Sequence, residues 1–449
     1  MSVLTITGRR PLSGSLTVQG AKNSVLPILA ACVLVPGECV VHNCPDLSDV
    51  RTTLDILRGL GCRVHRQGDT VCVDAAGVNC GIIPPERMRE MRSSFIFFGA
   101  ILGRVGEATL SYPGGCELGP RPIDLHLDAL RRLGADIREE DGVVYGRGGE
   151  LLRGCTLHLP FPSVGATENA MLAACACAGE TVITGAAQEP EIEDLQTFLN
   201  AAGACIHGAG TGQIVVHGGR KLHGVEHWVM ADRIVGATCL AAVAAAGGQA
   251  ELRGLQARWL APVIGVLERA GCQISSREDT LHIRAVGPVG DGGEICTAPY
   301  PGFPTDAQAV VMAALAAGTG ISRFQETMFQ SRYRHVPELR RMGADICVEG
   351  TTAQVAGRPL HGAGVVSTDL RGGAALVVAA LAAEGESRVG ALHHIDRGYE
   401  CIEGIFSRLG GEIRRVNGQE MGTLWQLPEE NEIVTAAAAA SASCISCWP

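Results

Sequence analysis

The sequence predicts an α/β fold of two domains, each built from three units of about 70 residues, and three observations carry that prediction. First, a helix-ending phrase occurs six times: GLGCRV at 59–64, RLGADI at 132–137, AAGACI at 201–206, RAGCQI at 269–274, RMGADI at 341–346 and RLGGEI at 408–413. The shared glycine stands at 61, 134, 203, 271, 343 and 410, at intervals of 73, 69, 68, 72 and 67 residues. Second, each glycine follows an amphipathic run such as VRTTLDILRGL and precedes an alternating, strand-like run such as CRVHRQGDTVCV. A glycine just past a helix accepts the left-handed conformation that ends it. Third, an Ala/Leu-rich helix upstream in each unit ends at glycine and leads into a short strand, as in PGECVVHNC, AGETVITGA and EGESRVGAL. Chance resemblance among glycine-terminated helices does not produce six copies at near-constant spacing.

In chain order, each unit therefore reads helix, short strand, loop, helix, glycine, strands. The Ala/Leu-rich helices open on AKNSVLPIL, MRSSFIFFG, PSVGATENAML, ADRIVGATCL, FPTDAQAVV and STDLRGGAAL. Each unit exposes an apolar helix face that must pack on neighbours, and three plus three units satisfy this in two domains. A seam is expected near 230, at GVEHWVMADR. The first domain is then 22–230, the second 1–21 plus 231–422, and 423–449 is an appended tail. The segment VLTITGRRPLSGSLTVQG precedes the first unit and is expected as one strand completing the second domain's sheet, so that the chain crosses near 20 and near 230.

Composition narrows the function classes. The chain has 449 residues, about three domains' worth at ~150 each. It carries 37 Lys and Arg against 47 Asp and Glu, a net charge of −10, which argues against nucleic-acid or polybasic membrane-surface binding while allowing local anion sites. Charged residues are 19% and mean hydropathy is +0.18, so the chain is not of the disordered class. Aromatics are only 4%, so the cores are built from small and aliphatic residues. The apolar run Ala374–Ala383 falls short of the ~18 residues of a membrane span. The opening MSVLTITGRRPLSG has no apolar h-region, so no secretion signal and a cytoplasmic location are expected. Most of the 18 Cys stand in apolar runs, such as Cys175 and Cys177, and read as small core residues of a reducing compartment. The one C-x-x-C, Cys444 and Cys447, lies in the tail without a second pair at metal-ligand spacing, so no metal and no cofactor are expected.

The repeat sorts the chemistry into two slots. One is the start of the first helix: Lys22-Asn23, Arg92, Ser163-Val164, Asp232-Arg233, Thr305-Asp306 and Asp369-Leu370-Arg371. The other is the loop before the second helix, with Cys116 and Arg121 in unit two, Arg332 and Arg334 in unit five, and Arg397 in unit six. Helix starts present free N–H groups and partial positive charge, and Arg grips phosphate or carboxylate bidentately. For any single Arg the alternative is a solvated charge or a salt bridge, the better reading for Arg334. In SYPGGCELGPRPIDLHL, Cys116 sits off any periodic apolar element and near Arg121, which favours thiolate. A nucleophile or proton donor is the better reading there than an incidental loop cysteine.

GAKNSVLPILAA (20–31), PGGCELGPRPIDLH (113–126), SVGATENAML (163–172), AAQEPEIEDL (186–195), FPTDAQA (303–309), VPELRRMGAD (336–345), STDLRGGAALVVAAL (367–381) and HIDRGYECIE (394–403) closely resemble the UDP-N-acetylglucosamine 1-carboxyvinyltransferase family. The resemblance runs from about residue 3 to 418. The sibling shikimate-pathway enolpyruvyl transferases share the six-unit architecture but lack the PGGC…RP loop. The resemblance implies an inverted α/β barrel with two domains closing over the substrates, phosphoenolpyruvate and UDP-N-acetylglucosamine, and the first committed step of peptidoglycan precursor synthesis. The sugar 3′-hydroxyl attacks C2 of phosphoenolpyruvate, C3 is protonated and phosphate leaves. It further implies that Lys22, Arg121 and Arg397 hold the phosphate and carboxylate, with Asn23 beside them and Arg371 nearby. Cys116 is the acid toward C3 and Asp306 the base at the 3′-hydroxyl. Arg92, Arg121, Pro122, Ile123, Asp124, Leu125, Phe161, Pro162, Ser163, Val164, Asp306 and Met328 fall on the nucleotide-sugar positions. Nothing in the resemblance names protein partners.

Three positions depart from the family pattern. Ser48 and Phe161 stand where Lys is common, and Val235 where an acid is usual. They keep open a second reading, a non-catalytic descendant that binds UDP-sugar as a regulator or scaffold. Retention of Lys22, Cys116, Arg121, Asp306 and Arg397 favours the enzyme, since a binder need not keep a proton donor.

Overall fold

Among the described residues, six four-stranded sheets, one per repeat, organise the protein. The computed structural model describes residues 2–114 and 123–417, with the backbone alone at residue 92. Two compact units emerge: residues 19–231, and the described residues on either side of that span. Sheets flank buried helices in each, the inverted α/β barrel arrangement. All six shared glycines have positive φ, between 81° and 102°, which is why glycine recurs at this point of each repeat.

In the unit of residues 19–231, Glu38–His42, Glu107–Ser111 and Glu180–Thr184 each follow an inner helix. Each is a central strand, antiparallel to one strand of the hairpin that follows it in sequence and parallel to a short edge strand. The edge strand of the first repeat is Val225–Trp228, from the far end of the unit, so the last segment closes the set of three. The inner helices Lys22–Ala31, Phe97–Arg104 and Val164–Ala176 are buried almost all round, whereas Ser48–Gly59 and Asp124–Arg132 bury one face. Helices buried on every side must approach closely. A Cβ at Gly99 would stand 2.4 Å from Asn169 O, and the Gly99 N–H instead donates to Asn169 Oδ1 at 2.7 Å. Asn169 Nδ2 donates to Phe95 O at 2.9 Å, completing the staple.

The second unit repeats the plan around the helices Arg233–Ala246, Thr305–Ala316 and Leu370–Ala382, which pack on one another. The opening segment corrects the expectation of one strand. It forms two, Ser2–Thr7 and Leu12–Thr17, in two different sheets. Ser2–Thr7 lies antiparallel between Glu386–Gly390 and Glu412–Asn417, and Leu12–Thr17 runs parallel to Gly248–Arg253. The break falls at Gly8-Arg9-Arg10-Pro11, where Arg9 has φ 55° and Pro11 lacks a ladder donor. A Cβ at Gly8 would stand 2.1 Å from Ala383 O, so the chain turns against the end of a buried helix. Among the described residues, no helix is long and apolar enough to cross a membrane. Cys175 and Cys177 are buried as expected, but among the described cysteines Cys296 and Cys401 are exposed.

Candidate functional site

The starts of the inner helices carry most of the candidate residues, as the repeat slots predict. In the unit of residues 19–231, Lys22 opens its helix without a capping side chain. It is 8% exposed, and its Nζ lies 2.6 Å from Asp49 Oδ2. Asp49 is itself buried, in the first turn of Ser48–Gly59. The pair neutralises two charges taken out of water and fixes where the ammonium stands. One residue on, Asn23 is half-buried. Ser24 Oγ donates to Asp194, which also accepts from Met230 N at 3.1 Å and faces His227 Nε2 at 3.0 Å. The first turn that presents Lys22 and Asn23 is thereby tied to two other segments.

Ser163 caps the helix Val164–Ala176, its hydroxyl accepting from Ala166 N at 3.4 Å. Pro162 and Val164 are half-buried, and Phe161 just before them is 44% exposed. Ile123 is buried, Asp124 exposed and Leu125 half-buried at the start of Asp124–Arg132. Cys116, Arg121, Pro122 and the side chain of Arg92 lie outside the described residues. Glu168 lies further along the helix Val164–Ala176. It is buried, and burial, then Glu191 and Glu189, push its carboxyl well above the usual range.

In the second unit, Asp306 lies in the first turn of Thr305–Ala316 and is bracketed by two buried arginines. Arg332 Nη2 donates to Asp306 Oδ1 at 2.8 Å and Arg371 Nη2 to Oδ2 at 2.9 Å. Arg332 Nε and Nη2 also donate to Thr305 O, at 3.1 and 2.9 Å. Burial works against the charge of Arg371, but Asp306, Tyr399 and Asp232 outweigh it and raise its pKa. Asp369 caps the next helix, Oδ1 accepting from Arg371 N and Gly372 N, both at 3.0 Å. Burial alone would raise the Asp369 carboxyl; Arg332, those N–H groups and His335 hold it below the usual range instead.

Arg397 ends the short turn Ile395–Arg397 and is half-buried, and Met328 is half-buried beyond the strand Ile321–Gln325. Burial, then His393, lowers His394 to about 4, with Arg397 and Arg334 acting in the same direction. Arg334 is accordingly a half-buried member of this cluster rather than a solvated charge. The structure thus joins Asp306 to Arg371 and adds Arg332 beside them, and in the unit of residues 19–231 it adds Asp49 beside Lys22. Arg332 stood in the repeat's loop slot without a role. Asp49 stood unremarked beside Ser48.

His335 is fully buried, and neither ring nitrogen has a hydrogen-bond partner among the described residues. Burial lowers its pKa to about 4, Asp369 opposing and Arg332 assisting. An unfolded imidazole titrates near 6.5. Between those values the unfolded chain binds more protons, so stability is full above about pH 6.5 and falls as pH drops toward 4. Urea midpoints between pH 7 and 4.5 should therefore fall more steeply for the wild type than for His335→Gln. Equal slopes would show that His335 does not enter the fold as a neutral ring.

One unit thus places a paired lysine at a helix start, and the other a carboxylate held in place by two guanidinium groups. The family model of EPSP synthase (3-phosphoshikimate 1-carboxyvinyltransferase) matches residues 6–406. UDP-N-acetylglucosamine 1-carboxyvinyltransferase 2 of Caldanaerobacter subterraneus is 46% identical over 417 residues, covering 93% of this chain and 100% of the relative. UDP-N-acetylglucosamine 1-carboxyvinyltransferase 1 of Symbiobacterium thermophilum is 47% identical, covering 92% and 94%. Among solved structures, the enolpyruvyl transferase NikO from Streptomyces tendae matches with TM-score 0.83 at 27% identity, covering 92% of this chain and 98% of that one. An EPSP synthase from Acinetobacter baumannii matches with TM-score 0.73 at 19% identity, covering 93% and 100%, a likeness of fold.

Proposed function

We infer the reaction from the family to which this chain belongs, the EPSP synthase family, and within it the UDP-N-acetylglucosamine 1-carboxyvinyltransferases. The chain transfers the enolpyruvyl group of phosphoenolpyruvate to the 3′-hydroxyl of UDP-N-acetylglucosamine and releases phosphate, the opening step of peptidoglycan precursor synthesis. The observation that carries this is identity of 46% across the whole length of a relative with that name. Nothing in the comparisons favours a non-catalytic binder.

Arg121, Arg397 and Lys22, which Asp49 holds, take the phosphate and carboxylate of phosphoenolpyruvate, and Asn23 and Arg371 contribute to its binding. Fixed cations of this kind stabilise charge as it develops at the transferring group, without reorganising at the moment of reaction. Asp306 takes the proton of the 3′-hydroxyl, and its bracketing by Arg332 and Arg371 supports that role by setting the carboxylate's direction. Cys116 delivers a proton to C3. Ser163, Val164 and the half-exposed Phe161 receive the nucleotide, Phe161 offering an apolar ring to the uracil face.

Purified protein given both substrates should release phosphate and yield a product heavier than UDP-N-acetylglucosamine by the enolpyruvyl group. Binding of the nucleotide sugar without phosphate release would overturn the assignment in favour of a binder. The departures add a second expectation. Ser48 is exposed at the start of Ser48–Gly59, next to the buried Asp49. A well-formed charge-assisted hydrogen bond contributes about 1.5–3 kcal/mol. Ser48→Lys is therefore expected to lower the KM of one substrate by about tenfold, and Phe161→Lys to change it less, because the exposed ring can compensate for a lysine by packing on the uracil face. If neither the constants nor the turnover move in Ser48→Lys, the substitution is neutral.

A further inference from the structure

Glu326 follows the strand Ile321–Gln325 and is 2% exposed. A buried carboxylate can only accept hydrogen bonds, and it needs donors on both oxygens to offset the loss of water. Glu326 has four. Oε1 accepts from Thr297 Oγ1 at 3.0 Å, Met328 N at 2.7 Å and Phe329 N at 3.1 Å. Oε2 accepts from Thr305 Oγ1 at 3.0 Å. One oxygen thus shapes the turn that carries Met328, and the other holds the first residue of the helix that carries Asp306.

The helix Thr305–Ala316 has no side-chain cap from Pro304, so its first turn is held by tertiary contacts. Thr305 is gripped from two sides, its hydroxyl by Glu326 and its carbonyl by Arg332. Arg332 bonds Asp306 as well. Thr297, on the far side of Oε1, accepts from Thr327 N at 2.9 Å and so locks the same turn again. A carboxylate near a helix start is also favoured by the partial positive charge there.

We propose that Glu326 is a positioning residue that sets two parts of the site from one side chain: the direction of Asp306 through Thr305, and the placement of Met328 through the 326–329 turn. This rests on the reading of Asp306 as the base and Met328 as a nucleotide-sugar contact. The two oxygens give separable outcomes. Misplacing Asp306 slows the chemical step, whereas misplacing Met328 weakens the nucleotide sugar. Glu326→Gln keeps the geometry, because its oxygen can accept on the Oε1 side while its amide donates to the Thr305 hydroxyl.

The test is steady-state kinetics of phosphate release with both substrates varied, on wild type, Glu326→Ala, Glu326→Gln, Thr305→Val and the Ala/Val double variant. Wild-type turnover is measured first; its absence would remove the proposed reaction itself, separately from this inference. Thr305→Val is expected to lower kcat about tenfold with the KM for UDP-N-acetylglucosamine unchanged. Glu326→Ala should lower kcat similarly and raise that KM about tenfold, and the double variant should lose no further kcat, as expected of two groups acting in one contact. Glu326→Gln should stay within a few-fold of wild type. The inference is overturned if Thr305→Val leaves kcat intact, if the two losses multiply, or if Glu326→Ala lowers the melting temperature while leaving both constants unchanged. Thr305→Val exchanges the hydroxyl for a methyl of similar size and reports even where the alanine variant does not fold.

Discussion

Cys116→Ala is expected to lose nearly all turnover, a drop of about 10²–10⁴-fold in kcat for removal of a positioned proton donor. Cys116 stands in a connection rich in glycine and proline between the strand Glu107–Ser111 and the helix Asp124–Arg132, five residues before Arg121. That is no place for a core thiol. The resemblance to the transferase family assigns it the proton for C3. Cys116→Asp should keep part of the activity, because a carboxylic acid can also donate, and Cys116→Ser should keep less. Mass spectrometry of the intact protein incubated with both substrates should find any covalent adduct on Cys116 and on none of the other cysteines. Unimpaired phosphate release by Cys116→Ala would remove the assignment.

Asp306→Asn is expected to show the other large loss, again about 10²–10⁴-fold in kcat, since it removes the proposed base. Here the geometry makes the outcome more specific. Both carboxylate oxygens already accept from a guanidinium, Oδ1 from Arg332 and Oδ2 from Arg371. Asparagine has one acceptor oxygen, so its amide would turn a donor toward one of the two arginines. Removing one partner of a buried ion pair costs about 3–5 kcal/mol, because the remaining charge is left uncompensated. A fall in melting temperature should therefore accompany the fall in kcat. Asp306→Glu separates the effects: it keeps the charge, restores most of the stability and misplaces the base. Near-normal kcat in Asp306→Asn would show that another group takes the hydroxyl proton.

The glycine interval and the two helix types made the six-unit α/β plan legible, since each repeat must end a helix, start a strand and bury one apolar helix completely. The same slots made the helix starts at Lys22, Ser163, Asp306 and Asp369 legible as a class. What could not be read was which side chains meet. Asp49 finds Lys22, Asp194 finds Ser24, Arg332 and Arg371 find Asp306, and Glu326 finds Thr305. These partners lie 21 to 170 residues apart, and no periodicity links them. The opening segment failed differently: Gly8 and Pro11 carry a local break signal within a run whose alternation continues on both sides, and which two sheets receive the two strands is set by packing. Periodicity and turn residues are local properties, so most elements and the chemistry available at their ends could be read before the fold was known. The tertiary structure alone decided which charges are paired and which hydroxyls are held, because a buried ion must find its partner wherever the packing of the repeats places one.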